Sequence, residues 1–125
     1  MPNINAALGL AQMERLAAAI DAKRRLWQRY VEIFANVEGA RIFSEAAFAQ
    51  SNHWLVALLL DRGNEALLEP ILVATNDAGL MTRPAWTPMH RLPMYSNNPR
   101  AALPVTESLA QRIVNLPSSP FLAPN

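Results

Sequence analysis

Four prolines, Pro84, Pro88, Pro93 and Pro99, punctuate the stretch "GLMTRPAWTPMHRLPMYSNNP" from Gly79 to Pro99. Each fixes φ and removes a backbone donor, so the run cannot be a regular helix or a central strand. Disordered segments are poor in aromatics and rich in charge. This one instead carries Trp86, His90, Tyr95 and the methionines Met81, Met89 and Met94. It reads as an ordered, proline-stiffened loop packed against something.

The bulk numbers narrow the possibilities around that loop. With 125 residues and 51% hydrophobic composition, one small domain over residues 1–125 with a modest core is expected. A formal net charge of +1 implies neither a strongly basic nucleic-acid surface nor an acidic tail. The lack of cysteine removes disulfides, thiolate metal sites and a cysteine nucleophile together. His53 and His90 lie too far apart for a local metal motif. No signal-like leader and no apolar run near membrane-spanning length is present, so no membrane partner is expected and the expected compartment is the cytoplasm.

The segment "MPNINAALGLAQMERLAAAIDAKRRLWQRYVEIFANVEG" reads as one long helix, with Asn3 able to cap it and Gly39 just beyond its end. Its second half is amphipathic, with Trp27, Tyr30, Val31 and Phe34 on one face. From Ile4 to Met13 only Asn5 and Gln12 are polar; a helix apolar all round needs neighbours on every side, and Gly9 suggests a close backbone approach. Arg41–Phe43 is a short extended piece, and Trp54–Leu60 is an apolar strand too apolar to face water on one side. A helix follows, with Pro70 in its first turn and Gly79 just past its end. A strand starting at Leu80 breaks at Pro84. The last helix is expected from about Val105 to Val114, and "VNLPSS" as an edge strand, because Pro117 bars a central one. This order predicts an α/β (α+β) layer, a small open sheet of about three strands with helices on one face.

Catalytic constellations are thin. No G-x-S-x-G elbow surrounds any serine, the carboxylates Asp61, Glu65, Glu69 and Asp77 fall at solvated helix ends, and no glycines form a phosphate loop. Lys23, the only lysine, sits in "AKRRLWQR" and reads as a surface charge, unlike the desolvated amine that Schiff-base chemistry requires. In the proline-rich loop, Arg83 and His90 flank Trp86 and could offer cations and an aromatic face to an anionic, flat-ringed ligand such as a nucleotide. The bland alternative is that Trp86, Met89 and Met94 plug the core, since such clusters are core more often than site. The same holds for His53 beside Trp54.

Several strings taken together resemble the DegT/DnrJ/EryC1/StrS aminotransferases. They are "MPNINAALGLAQMERL", the helix ending "RRLWQRYVEIF", "SNHWLVALLLD", "AGLMTRPAWTPMHRLPMY" and the closing "LAQRIVNLPSS". They occur in the family's order and span almost the whole chain, with the nearest look in the branch acting on UDP-linked 4-keto sugars. The resemblance implies the C-terminal small domain of a fold-type I pyridoxal phosphate aminotransferase that aminates a keto group on a nucleotide-linked sugar. The family's large domain carries the cofactor lysine, the aspartate at the pyridine nitrogen and the phosphate-binding residues, none of which has a counterpart in these strings. Pyridoxal 5'-phosphate is therefore implied for a full-length parent and is not expected on this chain, which by itself is expected to be inactive.

The resemblance also assigns the loop a role. It folds over the active-site mouth, which makes Arg83, Trp86, His90 and Tyr95 the substrate-side groups, with a cation meeting the diphosphate and a ring facing base or sugar. The apolar first helix is implied to pack against the large domain and a dimer partner, and a homodimer is expected. Two other classes stay open on the residues alone: a stand-alone module that oligomerises through the first helix, and a small nucleotide-binding domain.

Overall fold

The structure, a computed structural model, describes residues 2–124. The N-terminal helical stretch is two helices, α1 (Asn3–Glu14) and α2 (Leu16–Phe34), broken at Arg15. The Arg15 N–H bonds back to the Gln12 carbonyl, at 3.1 Å, in the tighter pattern of a helix end. The break falls between the half that is apolar all round and the half with a single apolar face. Asn3 is the first helical residue and makes no capping bond. α2 stops at Phe34, and Gly39, with φ +82°, takes the left-handed turn into the first strand.

The sheet has four strands rather than about three: β1 (Ala40–Ile42), β2 (Val56–Leu60), β3 (Arg83–Pro84) and β4 (Ile113–Leu116). They lie in the order β1-β2-β4-β3, and every neighbouring pair is antiparallel. β4 covers the start of the strand expected in "VNLPSS" and begins at Ile113, because the last helix ends earlier than expected. Helix α4 is short, Pro104–Ala110, and the chain turns at Gln111 and Arg112 into β4. Pro104 opens α4, where its missing N–H costs nothing.

β4 is also central, not an edge. Pro117 lies one residue beyond the ladder that ends at the Val56–Leu116 pair, so no sheet hydrogen bond is lost to it. Pro84, at the sheet's edge on the two-residue β3, pairs with Val114, and the Ala85 N–H then bonds the Ile113 carbonyl at 3.3 Å.

Alternation along the strands places Ile42, Val56, Leu58, Val114 and Leu116 on one face as a contiguous core. Trp27, Tyr30, Val31 and Phe34 of α2 cover it, as their spacing predicts, together with Leu68, Ile71 and Leu72 of α3 (Leu68–Asp77). Val56, Leu60 and Val114 are essentially sealed from water, each burial stabilising by about 1.5–3 kcal/mol. On the other face Leu59 is buried, beside a hollow shared with Leu109 of α4.

Buried Arg112 locks the α4–β4 turn. Its Nη1 donates to the Leu60 carbonyl at 2.6 Å, and its Nε and Nη2 donate to the Ser108 hydroxyl at 3.2 and 3.1 Å.

Helix α1 buries none of its residues. Ile4, Leu8, Leu10 and Met13 are 62–78% exposed, and a Cβ added at Gly9 would meet nothing within 4 Å. The close approach expected at Gly9 is thus absent among the described residues.

Lys23 is half-buried and engaged rather than a freely solvated charge. Its ammonium donates to the carbonyls of His53 at 3.0 Å, Trp54 at 3.2 Å and Ser118. Desolvation lowers its pKa from the ordinary 10.5.

Candidate functional site

The proline-rich loop leaves the sheet at β3 and borders a groove of about 620 Å³. Leu55, which precedes β2, and Trp86 contribute apolar surface; Arg83, Asn115 and Ser118 contribute polar groups, and Pro117 stiffens the floor. Asn115 also holds the groove's edge, its side-chain amide donating to the Pro84 carbonyl at 3.0 Å. Trp86 is 69% exposed and stacks on Trp54, itself 67% exposed, with ring centroids 5.9 Å apart. Two large rings kept together in water form a platform on which a further flat ring can stack.

Arg83 is held from behind. Its Nη1 donates to the Asn76 side-chain oxygen at 2.9 Å and to the Thr82 carbonyl at 2.8 Å. Asn76 is fixed in turn by its amide, which donates to the Thr82 hydroxyl at 3.0 Å, and that buried hydroxyl pairs with Thr75. The end of α3 thereby aims the guanidinium. Nη1 is its only hydrogen-bonded nitrogen among the described residues, which leaves the remaining donors of the planar fork for an anion.

Of the four residues singled out from sequence, Arg83 and Trp86 line this groove and His90 and Tyr95 do not. His90 lies in the single turn Met89–Arg91 and Tyr95 in the next turn, Pro93–Tyr95. The His90 Nε2 pairs with one oxygen of Glu107 on α4, and Arg91 takes the other. One carboxylate thus pins the loop to α4 and occupies one imidazole nitrogen. Tyr95 is partly exposed, at 37%.

His53 is buried and stacked on Trp27, with centroids 4.9 Å apart and planes at 19°. Its bland reading fits this packing. Burial pushes its pKa down from 6.5; Arg24 and Lys23 push the same way and Glu45 opposes them.

Sequence reasoning missed Asn76, Thr82, Asn115 and Glu107, whose roles depend on contacts across the fold with no local signature. No lysine lines this groove. The only lysine, Lys23, is on α2 with all three ammonium protons committed to carbonyls. Nor do the described residues bring three histidines or carboxylates together as a metal site would require, and no helix among them is long and apolar enough to cross a membrane.

Known proteins match both the sequence and the fold. The chain is 32% identical over 123 residues to the GDP-perosamine synthase of Vibrio cholerae, covering 98% of this chain and 33% of that protein. The GDP-perosamine synthase of Escherichia coli O157:H7 is also 32% identical over 123 residues, covering 98% and 32%. The chain therefore spans about a third of the length of these relatives. Among solved structures, DesI, determined with its TDP-sugar product, superposes with a TM-score of 0.85 at 28% identity, covering 94% of this chain and 31% of that one. PseC of Helicobacter pylori shares the fold, with a TM-score of 0.86 at 19% identity over 95% of this chain and 32% of its own. The DegT/DnrJ/EryC1/StrS aminotransferase family matches residues 1–125, and the chain belongs to that family.

Proposed function

We propose that the chain is the C-terminal part of a pyridoxal phosphate-dependent aminotransferase that aminates a keto group on a nucleotide-linked sugar, and that residues 1–125 act as its substrate-side small domain. The observation that carries this reading is the groove, lined both by the back-braced Arg83 and by Trp86, which stacks on Trp54. A guanidinium fork suits a diphosphate, and an exposed aromatic pair suits a base. Arg83 binds the diphosphate and Trp86 stacks on the nucleobase; His90 and Tyr95 are substrate-side groups of the same loop, outside the groove itself.

The resemblance of the motifs favours a UDP-linked 4-keto sugar, while the names of the relatives refer to GDP and TDP sugars, so the base is a matter for direct comparison. The uncovered apolar α1 supports a homodimer. The same helix supports a second reading, a module whose role is oligomerisation.

The test is a titration of the labelled chain with UDP-, GDP- and dTDP-sugars, followed by NMR. Amide signals of Arg83, Trp86 and Ser118 are expected to move together, and those of Arg83 and Ser118 to require about tenfold more ligand in Trp86→Ala. If none moves for any of the three nucleotides while the chain is folded, the groove is not a nucleotide site and the oligomerisation reading gains.

A further inference from the structure

We propose that Lys23 is a positioning residue for the groove, its ammonium setting the turn whose Trp54 backs Trp86, the ring in the groove's lining. The inference rests on the groove being the nucleotide site and adds a residue outside it that determines its shape. The β2–β4 ladder ends at the Val56–Leu116 pair, yet the groove is walled by Leu55, Pro117 and Ser118, beyond that end. Two strand extensions without ladder bonds are free to splay.

Lys23 closes that gap from α2. It donates to His53 and Trp54 on the β2 side and to Ser118 on the β4 side. Three acceptors match the three protons of an ammonium group, so the tripod is complete. Two further bonds support the same junction. The Ser118 hydroxyl donates to the Trp54 carbonyl at 2.9 Å, and Tyr30, two turns along α2, donates its hydroxyl proton to the Pro117 carbonyl at 3.0 Å. The clasp also holds His53 at φ +47°, a backbone conformation that non-glycine residues adopt where their surroundings over-determine it. Trp54 follows directly, so the place of its ring against Trp86 depends on this turn. A lysine that served only as a surface charge would need none of these acceptors.

The test reads the tryptophan pair itself. Stacked indoles give an exciton couplet in circular dichroism, assigned here by its loss in Trp86→Ala. Lys23→Met keeps the stem and removes the donors. It is expected to retain its helical signal, to lose most of the couplet and to bind UDP about tenfold more weakly. A purely structural lysine would lower the unfolding midpoint and leave the couplet and the UDP affinity of the folded protein as they were; that result overturns the proposal.

Lys23→Arg keeps the charge but replaces three convergent donors with a planar fork. It is expected to lose the couplet as well, and decides the matter should Lys23→Met not fold. An intact couplet in Lys23→Arg also overturns the proposal. If the couplet falls in the variants and neither wild type nor variant binds UDP, the nucleotide reading fails while the positioning role of Lys23 stands.

Discussion

Trp86 lies across Trp54 with ring planes 25° apart, joining the first residues of the proline-rich loop to the turn that enters β2. The two residues are far apart in the chain and both rings are more than half exposed, so their contact does little for the core. It is a surface device, and its removal separates stability from binding.

Trp86→Ala is expected to destabilise the chain by only about 0.5–1.5 kcal/mol, the worth of an aromatic pair. Nucleotide binding should weaken by about tenfold, because base stacking on an aromatic side chain contributes about 1–3 kcal/mol. Urea unfolding and NMR titration of the same variant measure the two effects separately. A stability loss of about 3 kcal/mol or more, the range for truncating a buried aromatic, would mean that Trp86 is a core residue.

Incubated with pyridoxal phosphate and then dialysed, the chain is expected to return to its own absorbance spectrum and to show no amino transfer from glutamate. The reason is Lys23, whose ammonium is engaged by three carbonyls. A cofactor band that survives dialysis and disappears in Lys23→Ala would reverse this conclusion.

Helix α1 predicts self-association. Leu8 and Leu10 are 62% and 65% exposed, and leaving such side chains in water forgoes about 1.5–3 kcal/mol each. Twofold pairing is the commonest way to cover such a surface. Light scattering is expected to show a dimer for the wild type and a monomer for the Leu8→Glu, Leu10→Glu double variant. The variant's unfolding midpoint at high dilution should match that of the wild type, because α1 contributes no buried residue. A wild type that stays monomeric at high concentration would disprove the pairing.

His53 predicts an acid-side loss of stability. Burial lowers its pKa from 6.5, so in the window running down from 6.5 the unfolded chain binds a proton that the folded chain refuses. Stability from the neutral ring is complete above 6.5 and is lost as pH falls through the folded value. The urea midpoint should fall as the pH drops below 6.5, and less steeply in His53→Gln. Identical slopes in the two proteins would show that His53 titrates as it does in the unfolded chain.

Much of the architecture was legible where one element satisfies one local rule. The 3.6-residue spacing of Trp27, Tyr30, Val31 and Phe34 identifies the covering face of α2, and these residues do pack on the sheet. The unbroken apolar run names β2, whose Val56, Leu58 and Leu60 are buried. Pro104 and Gly79 mark a helix start and a helix end by backbone chemistry alone.

The sequence by itself therefore determined the covering face of α2, the buried strand, the irregular loop and, through its motifs, the family. What only the tertiary structure decided depends on partners distant in the chain. The strand in "VNLPSS" reads as an edge because of Pro117, and it is central because β2 and β3 supply ladders on both sides. Lys23 looks like its cationic neighbours until three carbonyls from residues 53, 54 and 118 converge on it. Arg83 is aimed by Asn76, and His90 is turned to Glu107. A local pattern records what a residue can do with its neighbours in sequence, whereas a strand's place in a sheet and a cation's acceptors are set by which segments the core brings together.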